Sequence, residues 1–154
     1  MSWEDDLDTE LEHRQQEQRT ANELKLYRRR VFAEEGRALL EQLAAEVQRG
    51  CKRMATRRPG WARVLCDPIF KNSFTVRNPS VSPSVKVRIN LGSTALNISV
   101  EKQQSASDPF SATDHHRVDF SLDENDKLAF CLECSPLDIH GIASLIVRPA
   151  LGLA

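Results

Sequence analysis

The hydrophobic periodicity of this chain changes near Pro59-Gly60, and that change sets its fold class. Upstream, apolar residues recur at helical spacing; downstream, they alternate with polar residues at every second position. A helical third followed by strands predicts an α+β domain. We expect a long N-terminal helix, an antiparallel sheet of five or six strands with one solvated face, and a short C-terminal helix, packed as two layers. The 154 residues suffice for one domain with a real core, without metal or disulfide support.

Residues 2–57 read as helix. Ser2 suits the N-cap and Asp5 completes a capping box. Glu4, Asp5, Asp6 and Asp8 then lie where the helix dipole favours negative charge. Between Glu12 and Glu23 the only apolar residue is Ala21, so residues 1–22 are expected to form a charged, solvated or frayed extension. The apolar stripe strengthens over 23–57, through Leu24, Tyr27, Val31, Leu39, Leu43, Val47, Cys51 and Met54, with Phe32, Leu40 and Ala44 widening it. A rod over 21–57 would be longer than a small domain is wide. Either it projects beyond the sheet or it folds back near Glu34-Glu35-Gly36, where Gly36 is the one helix-weakening residue available for a break.

The second pattern covers 61–154. Residues 61–66 and 72–77 are weak strand candidates, and Pro79 and Pro83 bracket a loop. Val85, Val87, Ile89 and Leu91 form one inward set, and Gly92-Ser93-Thr94 turns the chain into Leu96, Ile98 and Val100. After a long polar loop from Gln103 to Asp114, Val118, Phe120 and Leu122 form the next set. A turn at 123–126 leads into Leu128, Phe130 and Leu132. The last helix carries Ile139, Ile142 and Ile146, with Ser135 expected as N-cap, Pro136 at the first position and Pro149 as the stop.

The function classes narrow less than the fold. Net charge is −1, so no global field steers the chain toward nucleic acid. The acidic start lacks the apolar core of a secretory leader, and no stretch is long enough to insert in a membrane, so a cytoplasmic location is expected. Cys51, Cys66, Cys131 and Cys134 should then be free thiols. Cys131 and Cys134 have the spacing of redox dithiols and zinc knuckles, but both precede the helix start, and no second pair accompanies them. Asp114-His115-His116 matches a three-letter phosphoesterase signature without that superfamily's companion aspartate motifs. No catalytic residue, cofactor or metal is therefore assigned.

Two surfaces remain. Leu24, Tyr27, Val31 and Phe32 lie where the helix outruns a small sheet, and are expected to bind a protein partner or a second copy. Arg49, Lys52, Arg53, Arg57, Arg58 and Arg63 form a run without an acidic residue, an alternative site for nucleic acid or another phosphate. The leading expectation is a non-enzymatic interaction or scaffold protein. Behind it stand the anion binder and a small metal- or thiol-dependent enzyme.

Overall fold

The computed structural model describes residues 2–58, 64–79 and 84–153. Pro59-Gly60, Arg63 and Pro83, each given a role above, lie outside them. Helix α1 spans Trp3–Arg57, and its capping box forms as expected between Ser2 and Asp5. The strands are β1 (Leu65–Cys66), β2 (Ser73–Asn78), β3 (Ser84–Leu91), β4 (Ala95–Gln103), β5 (Ser111–Leu122), β6 (Leu128–Leu132) and β7 (Ser135–Leu137). Helix α2, Ile139–Ala150, follows. All strand pairs are antiparallel and neighbours in sequence are neighbours in space, so the sheet is an open meander in the order β1 to β7.

Alternation places Phe74, Val76, Val85, Val87, Ile89, Leu96, Ile98, Val100, Val118 and Phe120 in the core. Leu39, Leu40, Leu43 and Val47 of α1, with Ile142 and Ile146 of α2, bury against them. Full burial of each such side chain contributes about 1.5–3 kcal/mol. The other sheet face carries ion pairs, Arg88 with Glu101 at 3.8 Å and Arg117 with Asp119 at 2.8 Å.

The helix does not break at Gly36. A Cβ there would stand 3.1 Å from Leu91 Cδ1 and 3.5 Å from a Phe120 ring carbon. Glycine instead lets the unbroken helix lie close on the ends of β3 and β5. Its neighbours secure that approach. The Glu35 carboxylate accepts from the Leu128 amide at 2.7 Å. The Arg37 guanidinium donates to the Lys71 carbonyl and to Asn72 Oδ1.

Other expectations change as well. The described strands number seven, because Leu65–Cys66 and Ser135–Leu137 both pair as short edges. The polar loop shrinks to 104–110, since β4 and β5 pair outward to Lys102 and Ser111 through a register shift at Val100/Glu101. Asp138, not Ser135, caps α2, accepting from the Gly141 amide at 2.7 Å. The Ser135-Pro136-Leu137 backbone goes to β6 instead, where an edge tolerates proline's missing donor. Pro149 sits inside the last turn of α2, one residue before its end. There, buried Asn78 donates Nδ2 to the Ala150 carbonyl at 2.7 Å, tying β2 to the helix end.

The β6–β7 hairpin turns on two residues, Glu133 and Cys134, both with positive φ (50° and 67°). That is the backbone of a type I′ turn, which favours Asn-Gly. Replacing Glu133-Cys134 by Asn-Gly should stabilise the protein by about 1 kcal/mol. The urea midpoint should rise with an unchanged slope.

Candidate functional site

Helix α1 has two parts with different surroundings. Residues 2–30 are exposed without exception, a projecting arm about 42 Å long. Burial begins at Phe32, whose ring packs on Phe120 with centroids 5.8 Å apart. Of the partner-binding set, Phe32 is therefore committed to the core and Val31 is half-buried, while Leu24 (48%) and Tyr27 (42%) are exposed. Leu7, Leu11 and Leu26 join them as exposed apolar side chains on the arm.

The arm's charge is sorted by position. Glu4, Asp5, Asp6, Asp8, Glu10 and Glu12 lie in its outer half, with no base before His13. Lys25, Arg28, Arg29 and Arg30 crowd its inner end. The sequence reading passed over this inner run because it weighed cations near the helix end. The signal available was the pairing of two opposite blocks on one unbroken helix.

The basic run from Arg49 onward does not form one patch. Arg49 Nη2 lies 2.6 Å from Glu46, a contact that raises the arginine's pKa. The same bond, against opposing desolvation, leads in holding the Glu46 carboxyl below its ordinary range; His140, 3.3 Å away, adds to it. Lys52 and Arg58 are exposed. Arg53 and Arg57 stand beside a cleft of about 410 Å³ between α1 and α2, and Arg148 joins them from α2. The two helices run side by side in the same direction: Glu46 meets His140 at one end, and Met54 and Arg57 share the cleft with Leu151 and Leu153 at the other.

The cysteine and histidine motifs separate. Cys131 lies in β6 and Cys134 in the exposed turn beyond it. His115 pairs across from Ser99 and His116 from Ile98, so the two imidazoles leave opposite faces of β5. His116 reaches Asp114 at 3.3 Å. No group of three or more metal-binding side chains assembles among the described residues.

Cys66 is pushed up to about 12, mainly by burial, with Cys51 and Asp67 nearby adding to it. Burial raises Cys51 as well. Below about pH 9 both folded and unfolded chains keep these protons, and stability is unaffected. Above it the unfolded thiols ionise while the folded ones do not, so stability should fall between about pH 9 and 12. Thermal midpoints at about pH 8 and about pH 10.5 should differ less in Cys66→Ala than in the native protein.

No family model, curated protein or solved structure matches the chain. No helix among the described residues is long and apolar enough to cross a membrane.

Proposed function

We propose that this protein is a non-enzymatic, self-associating scaffold whose arms pair antiparallel between two copies. The carrying observation is that residues 2–30 are wholly exposed yet hold Leu7, Leu11, Leu24, Leu26 and Tyr27. Most helical stability in proteins comes from tertiary packing, which this exposed arm lacks, and a partner helix would supply it.

Charge order favours a second copy over an unrelated partner. Antiparallel pairing centred near Gln18 sets residues 4–12 of one arm beside 24–32 of the other. Asp8 then lies level with Arg28, and Leu11 level with the Leu24–Leu26 turn. Parallel pairing would set acid against acid and base against base. The free thiols of all four cysteines accord with a reducing, cytoplasmic setting.

Charge reversal tests the register. Arg28, Arg29 and Arg30 changed to Glu should dissociate the assembly in sedimentation velocity. Mixing that variant with one carrying Lys at Asp5, Asp6 and Asp8 should restore a mixed dimer. A reversed variant that associates like the native chain would refute the antiparallel pairing.

A further inference from the structure

We infer that the cleft between α1 and α2 binds an amphipathic monoanion, a carboxylate carried on a hydrocarbon chain. Its walls are apolar: Val47 and Met54 from α1, Ala143, Val147 and Leu151 from α2. A volume of about 410 Å³ is in the range of small-molecule sites. Arg53, Arg57 and Arg148 stand along it, so apolar walls and cationic groups lie within one small site. Guanidiniums hold carboxylates through paired hydrogen bonds, and a hydrocarbon tail follows the apolar walls. The carboxylate of Glu46 also borders the cleft, but Arg49 and His140 engage it.

The walls also select against other anions. Both are helices, whose backbone donors and acceptors are used internally, so an extended peptide would find no ladder for its own polar groups. Among the described residues, the lining has no aromatic ring on which a nucleobase would stack. A hydrocarbon chain needs neither. The arginines also oppose the C-terminal dipoles of the two parallel helices, which accounts for the cations but not for the open volume beside them.

Gly50 marks the opening. It lies inside α1, where glycine is the least favoured residue after proline. A Cβ there would meet nothing within 4 Å, so no close approach requires it. Its missing side chain leaves space in the cleft that it lines. A phenylalanine at this position would enter that space while improving the helix.

Titration calorimetry with octanoate, decanoate and dodecanoate tests the site on the full chain. Each added methylene should tighten binding about fourfold until the cleft is filled. Decanol should bind roughly tenfold more weakly than decanoate, because it cannot take the charged hydrogen bonds. Arg53→Gln with Arg57→Gln should weaken decanoate by about tenfold and leave decanol unchanged. Gly50→Phe should abolish both while keeping the native circular dichroism. The inference is overturned if none of the carboxylates binds, if Gly50→Phe binds them like the native protein, or if decanol matches decanoate. Capture by phosphatidylglycerol vesicles without uptake of free carboxylates would equally overturn it, placing the arginines at a membrane surface instead.

Discussion

Removing residues 2–30 should leave a folded protein that no longer self-associates. The cut falls just before Val31 because burial starts there: Phe32 packs on Phe120, and Glu35 and Arg37 fasten the helix to β6 and to the turn before β2. A cut at residue 33 would remove the Phe32 ring and mix a core defect into the result. With the cut at 30, the helical signal should fall while the denaturation midpoint of the remaining domain changes little, since the lost residues are all exposed. Sedimentation equilibrium should show the full chain heavier than one protomer and the shortened chain at one protomer. Association of the full chain should weaken as salt rises, because the acidic and basic blocks of the arm are solvated charges screened over roughly 10 Å at 0.1 M. A shortened protein that keeps the oligomer size of the full chain would remove the arm from the interface. A full chain that stays monomeric at the highest concentration reached would end the scaffold proposal.

The sequence carried the layers well and the boundaries less well, for reasons visible in particular residues. Alternation from Val85 to Val100 states which face is buried, because a one-residue slip would turn the whole set to water. The helix stripe at Leu39, Leu43 and Val47 is equally direct. Local propensity leaves open whether the helix breaks at Gly36, because its close approach to Leu91 and Phe120 depends on residues more than fifty positions away. Ser135 and Asp138 are both good caps, and only the pairing of Ser135–Leu137 with β6 decides between them. The cleft was legible in part. Arg53 and Arg57 stood out as cations, but their neighbours Met54, Val147 and Leu151 come from two helices whose packing the spacing of charges does not reveal. The arm's opposed charge blocks were present in the sequence throughout, and exposure of residues 2–30 is what gives them meaning.

Ile142→Ala should be among the most damaging single truncations in α2, costing about 2–5 kcal/mol. The side chain is fully buried, as is Ile146 one turn later, and both belong to the main core cluster. Against a typical stability of about 5–15 kcal/mol, the loss is a large fraction of the whole. For a chain of this length it corresponds to a fall of about 4–20 °C in the thermal midpoint. The wide range reflects how far neighbours can collapse into the vacated space. Collapse should be limited here, because α2 is held at both ends: its N-cap Asp138 follows directly on β7, which pairs with β6, and the Asn78 bond holds the Ala150 carbonyl. A helix fixed at both termini cannot slide inward to close the gap, so the cost should fall in the upper part of the range. Freeing one end gives the control. Asn78→Ala combined with Ile142→Ala should show coupling in a double-mutant cycle, because both act on the seating of the same helix. Urea denaturation of the native protein, both single variants and the pair measures all four corners. An unchanged midpoint for Ile142→Ala would mean that α2 is not seated on the sheet as described. Strict additivity of the two changes would show that the end bond and the core contact act independently.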